Sequence, residues 1–182
     1  MYHANGDIYF GQWKDGLSNG KGTYCDNKGS LYSGDWLNDI QEGKGVELWN
    51  YGSIRYEGDF KAGQKTGKGV FEFEGSKYDG DFIDGQFNGY GKYYFADSGK
   101  IYTGEFSENQ MQGQGKMIWP DQSWYEGAFE AGQMNGFGTR HYPNGNIYEG
   151  QWENDKPHGE GRIYKEKDGL WKDCKFKEGK LE

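Results

Sequence analysis

The chain has little of what enzymes, secreted proteins and membrane proteins usually depend on. Its 182 residues include three prolines, two cysteines and three histidines. No apolar run approaches the roughly 20 residues of a membrane-spanning helix. The opening Met1-Tyr2-His3-Ala4-Asn5-Gly6 lacks the basic and apolar regions of a signal peptide. No Gly/Ser tract or proline cluster marks a linker, so the sequence predicts a single domain over residues 1–182. Basic excess is also missing: 21 Lys and Arg stand against 29 Asp and Glu, a net charge of −8. That balance argues against nucleic acid as a partner and disfavours anionic lipid. None of His3, His141 and His158 has a Cys or carboxylate at zinc-like spacing, which predicts no metal site. No Ser/His/Asp or Cys/His grouping is apparent, and the prediction is a chain without catalysis or cofactor.

Glycine and aromatic residues are what the chain has in excess. A mean hydropathy of −1.11 would suit a disordered chain, but an aromatic content of 18% would not. The 33 glycines sit at fixed places. Seven times a tyrosine is followed by one residue, glycine, one residue, then Trp or Phe: Tyr9-Phe10-Gly11-Gln12-Trp13, Tyr32-Ser33-Gly34-Asp35-Trp36, Tyr56-Glu57-Gly58-Asp59-Phe60, Tyr78-Asp79-Gly80-Asp81-Phe82, Tyr102-Thr103-Gly104-Glu105-Phe106, Tyr125-Glu126-Gly127-Ala128-Phe129 and Tyr148-Glu149-Gly150-Gln151-Trp152. The tyrosines are 23, 24, 22, 24, 23 and 23 residues apart. A short, steady period marks units that stack on their neighbours.

A second phrase follows each first one after six polar residues, as in Gly20-Lys21-Gly22, Gly43-Lys44-Gly45 and Gly67-Lys68-Gly69. Alternation, a turn and renewed alternation predict a β-hairpin per unit. The fold class is therefore all-β: an elongated single-layer antiparallel sheet of about 14 to 16 strands. A six-residue loop would set Trp36 opposite Gly43, Gly34 opposite Gly45 and Tyr32 opposite Glu47. It would likewise set Trp13 over Gly20 and Phe60 over Gly67. Rings lying over glycines would give a one-layer sheet its buried area. On the other face Asp35 would meet Lys44, Asp59 would meet Lys68 and Gln12 would meet Lys21, beside an acidic column at residues 57, 59, 79 and 81. Cys25 and Cys174, in the first and last units, would then lie on the order of 60 Å apart, given strands about 4.8 Å apart. That excludes a bridge within the chain and suggests a reducing, intracellular setting.

These two phrases at this period resemble the MORN repeat (membrane occupation and recognition nexus). The resemblance spans residues 9–165, with units starting near 9, 32, 56, 78, 102, 125 and 148. Tyr2-His3-Ala4-Asn5-Gly6 resembles the tail of a further unit. In a degenerate C-terminal cap at 168–182, Lys172 and Cys174 stand where Tyr and Gly would. The resemblance implies a MORN-repeat solenoid and a non-catalytic scaffold, in a cytoplasmic, cytoskeletal or ciliary/flagellar assembly.

A further apolar series, Phe71, Phe73, Tyr93, Phe95, Met117, Trp119 and Tyr142, shares a face with the motif glycines. It is the candidate groove for a protein partner, presented as a helix or an extended segment. Glu47 and Arg140 interrupt that face and are candidate positions for partner choice. Two alternatives stay open. Residues 156–182 carry +2 against −10 for the rest, so the basic end offers a tether to phospholipid. A regulatory array of a larger enzyme complex is the other, although the fading last unit points to a complete chain. Open sheet edges allow self-association.

Overall fold

A computed structural model describes residues 5–182; Tyr2, His3 and Ala4 of the proposed N-terminal tail lie outside them. The hairpin meander is present. Its strands are β1 (Ile8–Lys14), β2 (Leu17–Cys25), β3 (Leu31–Leu37), β4 (Ile40–Trp49), β5 (Ile54–Lys61), β6 (Gln64–Phe73), β7 (Ser76–Ile83), β8 (Gln86–Tyr94), β9 (Ile101–Ser107), β10 (Gln110–Ile118), β11 (Trp124–Glu130), β12 (Gln133–His141), β13 (Ile147–Glu153), β14 (Lys156–Lys165), β15 (Leu170–Lys177) and β16 (Lys180–Leu181). They form one antiparallel sheet in sequence order. By packing, the chain divides into a first unit ending at Asn88 and a second beginning at Gly89.

The turns correct the expected register. Each hairpin closes with two residues at positive φ, such as Asp15-Gly16 (52° and 81°), Asn38-Asp39 (50° and 66°) and Ala131-Gly132 (49° and 82°). These are type I′ turns, whose twist matches that of the flanking strands. The six polar residues are thus mostly strand. In the first unit Gly34 pairs with Gly45 and Tyr32 with Glu47 as expected, but Trp36 pairs with Gln41. Trp13 pairs with Ser18 and Phe60 with Lys65. A bulge absorbs the difference, because β4 carries two more residues than β3 between the glycine pair and the turn. Gly43 occupies that bulge at φ 63°, where a Cβ would be strained. It pairs instead with Phe60 of the next repeat, as Gly20 does with Trp36 and Gly67 with Phe82.

The bulge also corrects the expected charge pairs. Asp35 meets Lys44 through the backbone: Lys44 N–H donates to Asp35 Oδ2 at 3.0 Å. Lys68 N–H donates likewise to Asp59 at 3.1 Å, and Lys21 N–H to Gln12 Oε1 at 2.9 Å. The side chain after the motif glycine therefore caps an amide that the bulge removes from the ladder. Lysine side chains reach the next repeat instead, in the pairs Lys21–Asp35 (2.7 Å), Lys44–Asp59 (2.6 Å) and Lys68–Asp81 (2.7 Å). Lysines thus interleave with the acidic column.

Within each unit the core is a row of tyrosines lying over paired glycines. Tyr9, Tyr32, Tyr56 and Tyr78 in the first unit and Tyr102, Tyr125 and Tyr148 in the second are at most 2% exposed. An added Cβ at Gly45 would come within 2.5 Å of Tyr32 Cε2, and one at Gly34 within 2.6 Å of Gly45 Cα. Only glycine lets the two strands and the ring approach this closely. Each tyrosine hydroxyl donates to the carbonyl three residues on, as Tyr32 does to Asp35 (2.9 Å) and Tyr125 to Ala128 (3.0 Å). That satisfies the oxygen left by the bulge, so burying the phenol leaves no polar atom unpaired.

The motif Trp and Phe rings complete the row. In the first unit Tyr32 lies edge-on to Trp36 and to Phe60, both at 5.0 Å, and Tyr56 to Phe60 (5.2 Å) and Phe82 (5.0 Å). In the second, Tyr125 does the same with Phe129 (5.3 Å) and Trp152 (5.1 Å). Tyr102 meets Phe106 at 5.1 Å. Tyr148 meets Trp152 at 5.4 Å and Phe176 of the cap at 5.2 Å. Such pairs each add about 0.5–1.5 kcal/mol beyond area burial, and a tyrosine such as Tyr32, Tyr56 or Tyr125 makes two of them, one within its repeat and one with the next. The cap keeps the register, with Cys174 opposite Gly161 and Lys172 opposite Ile163.

Candidate functional site

The apolar series after each Gly-x-Gly phrase lies on the tyrosine face. Phe71 pairs with Tyr56 and Tyr78, Tyr93 with Tyr102, and Met117 with Tyr102 and Tyr125. Met117 is 6% exposed, so it belongs to the packed row rather than to an open strip. In the first unit Phe71 sits 6.4 Å from Trp49 and 6.0 Å from Phe87, while Phe73 is exposed. In the second unit Tyr93 and Phe95 are 4.5 Å apart, Trp119 is half-buried and Tyr142 is exposed. The last three rings stand just past strand ends, one per repeat. Link turns there are held by bonds such as Trp119 N–H to Ser123 O (2.9 Å) and Tyr142 N–H to Asn146 O (2.9 Å).

The two interruptions differ. Glu47 forms an ion pair with Lys65 at 2.7 Å, and both side chains are about one-fifth exposed, at 19% and 20%. The Lys65 ammonium also lies 4.5 Å from the Trp49 ring. That pair is self-sufficient. Arg140 pairs in register with Tyr125 and Tyr148, in the slot Met117 fills one repeat earlier. Its guanidinium stacks on Trp119 at 3.3 Å and lies 5.6 Å from Tyr142. Nη2 donates to Ser123 Oγ at 3.0 Å, whereas Nη1 is buried without a hydrogen-bond partner. Burial pulls its pKa below the ordinary arginine value. The nearby Asp121 carboxylate is engaged by the Ser123 hydroxyl and amide, which hold its pKa down.

Sequence reasoning placed charges on the opposite face but missed the recesses there. In the first unit a trough of about 850 Å³ runs there, lined by Phe10, Thr23, Val46, Val70 and the lysines of the ion-pair row. A smaller recess of about 410 Å³ in the second unit is lined by Trp124, Glu126 and Phe137. Beside it the Trp124 ring is stacked on His141 at 3.8 Å and faces the Lys116 ammonium at 4.0 Å. Burial, then the charge of Lys116, lowers the His141 pKa. The only advance signal was the alternation that put Thr23, Val46 and Val70 two residues after each lysine. Among the described residues no helix is long and apolar enough to cross a membrane, and no cluster of three or more His, Cys, Asp or Glu is placed to hold a metal ion.

Comparison with solved structures finds the same kind of sheet elsewhere. The TCP domain of Drosophila melanogaster SAS-4 (dCPAP), in complex with a proline-rich motif of Ana2 (dSTIL), matches with a TM-score of 0.52 at 9% identity, over 97% of this chain and 88% of that one. A point mutant of the TCP10 domain of Danio rerio CPAP matches with a TM-score of 0.35 at 17% identity, over 97% and 98% of the two chains. The first likeness shows a shared fold. No curated protein matches the chain by sequence. The MORN repeat model matches residues 9–31, 32–53, 56–75, 78–100, 102–124, 125–147 and 148–167, so the chain belongs to the MORN-repeat family.

Proposed function

We propose that the chain is a non-catalytic scaffold that holds a protein segment against its tyrosine face. The observation that carries this reading is the set of rings left partly open on that face, with Phe73 39% and Tyr142 37% exposed. Large apolar side chains left open beside a packed row favour an interaction surface. The proposed contacts are Phe71 and Phe73 in the first unit and Tyr93, Phe95, Trp119 and Tyr142 in the second. Further support comes from the SAS-4 TCP domain, a sheet of the same kind that is found in complex with a peptide motif. A cytoskeletal or ciliary/flagellar assembly is the setting that the family resemblance favours.

Replacing Phe73, Phe95 and Trp119 together by serine tests the reading. The expected result is a folded chain that no longer retains its protein partner in pull-down; undiminished retention would refute it. A second reading, favoured by the 850 Å³ trough, seats the partner on the lysine face of the first unit. Val46→Glu with Val70→Glu would then abolish binding, and the triple serine variant would not.

A further inference from the structure

From the second unit's strip we infer that the segment it receives is a polyproline II helix carrying an acidic residue that pairs with Arg140. This deepens the scaffold reading and rests on it. Two independent observations converge on this occupant: the spacing of the rings and the state of Arg140.

The first observation is spacing. Phe95, Trp119 and Tyr142 occupy the same position in three successive repeats, each four residues beyond the second glycine of its Gly-x-Gly phrase. Strands about 4.8 Å apart set an interval of about 9.6 Å between equivalent positions of successive hairpins, and Arg140, 3.3 Å from the Trp119 ring and 5.6 Å from the Tyr142 ring, keeps those two rings within about 8.9 Å of each other. A polyproline II helix repeats its face every three residues, or about 9.3 Å. That departs from either interval by only about 0.3–0.4 Å per ring. An α-helix repeats the same face every seven residues, about 10.5 Å, and overshoots by roughly 0.9–1.6 Å per ring. A β-strand recurs on one face about every 6.7 Å and falls out of step at the next ring. Aromatic platforms at a three-residue interval are also what proline rings stack against.

The second observation is charge. The Arg140 guanidinium lies between Trp119 and Tyr142, half-buried, and makes no ion pair among the described residues. One of its nitrogens, Nη1, has no acceptor. A buried N–H without a partner is unfavourable, and a carboxylate supplies the missing acceptor with the bidentate geometry that suits arginine. Nη1 is covered in the free chain, so binding requires a side chain to move. The corresponding first-unit cation, Lys65, already has Glu47 and offers no such vacancy.

The test uses the full chain and three fluorescently labelled peptides of equal length: repeating Pro-Pro-Glu, repeating Pro-Pro-Lys and repeating Gly-Ser-Glu triplets. Anisotropy titration should show Pro-Pro-Glu binding roughly tenfold more tightly than either control, the difference expected when a charge is reversed or a segment must be ordered on binding. Arg140→Gln should erase the preference for Glu over Lys and retain the preference for proline. Trp119→Ser should weaken both proline peptides. No variant is needed for the peptide comparison on the unmodified chain, so misfolding cannot mask the outcome. Equal binding of Pro-Pro-Lys overturns the acidic assignment, equal binding of Gly-Ser-Glu overturns the polyproline assignment, and no binding by any peptide overturns both. Were the peptides silent while the triple serine variant still lost its protein partner, the scaffold reading would stand without this refinement.

Discussion

Each unit has the same kind of core, but the two differ on both of their faces. In the first, every Gly-x-Gly phrase carries a lysine that pairs with an aspartate of the following repeat at 2.6–2.7 Å. In the second, the same positions hold Tyr90 opposite Glu105, Gln114 opposite Ala128, Phe137 opposite Gln151 and, with the charges reversed, Glu160 opposite Lys175; Tyr90 and Phe137 are exposed. On the tyrosine face the first unit balances Glu47 with Lys65, while the second leaves Arg140 unbalanced. Yet the tyrosines are equally buried and the rings meet at equal distances. Stability therefore resides in the tyrosine–glycine row, and surface positions are free to diverge toward binding.

The largest effects should be common to both units. Tyr56→Ala and Tyr125→Ala each remove a fully buried ring, and chemical denaturation should show a loss of about 3–5 kcal/mol for either. A much smaller cost in one unit would break the equivalence of the cores. The next effect should separate the units. Lys65→Met leaves the Glu47 carboxylate without its cation and should cost about 1–3 kcal/mol, whereas Arg140→Met removes an unpaired charge and should stay within about 1 kcal/mol of the parent. Thermal unfolding of the two variants side by side measures that contrast. Smaller still is the bulge cap. Asp59→Ala frees the Lys68 amide and should cost about 1 kcal/mol, whereas Ala128→Asp supplies a cap that Phe137 lacks in its bulge and should stabilise by about 0.5–1 kcal/mol. The smallest change is in the exposed lysine–aspartate pairs. Raising salt should weaken the first unit by only a few tenths of a kcal/mol, read as a slight loss of amide-exchange protection along the strands that carry Lys21, Lys44 and Lys68.

Much of this architecture was legible in the residues themselves. The Tyr-x-Gly-x-Trp/Phe phrase gave the period, and the spacing of Gly34 and Gly45 gave their pairing, because both lie where the hairpin is regular. The register nearer the turn was not legible. Asp15-Gly16 is a recognisable type I′ signal, but Asn38-Asp39, Ala62-Gly63 and Glu108-Asn109 adopt the same turn with weaker chemistry. Without the turns, the six residues 37–42 looked like loop, and Asp35 was set opposite Lys44 instead of on its amide. Rings were rightly expected over glycine, but the ring that covers the paired glycines is the tyrosine, two residues before the motif glycine. At the candidate site, Glu47 and Arg140 stood out as departures from an aromatic slot. That one is paired and the other is not depends on Lys65 and Ser123, which reach them across strands 18 and 17 residues away.

Ionisation of the tyrosines tests the central row most directly. Burial raises the phenol pKa of the motif tyrosines, that of Tyr148 to about 12, whereas an unfolded tyrosine titrates near 10. A group raised on folding contributes its full stability below the unfolded value and loses it as pH climbs toward the folded one. Phenolate absorbance, followed together with circular dichroism from pH 9 upward, should therefore rise in two stages. The later stage, in which the motif tyrosines ionise, should coincide with collapse of the sheet signal. A single unshifted wave embracing all 15 tyrosines, with the sheet signal unchanged, would contradict the account.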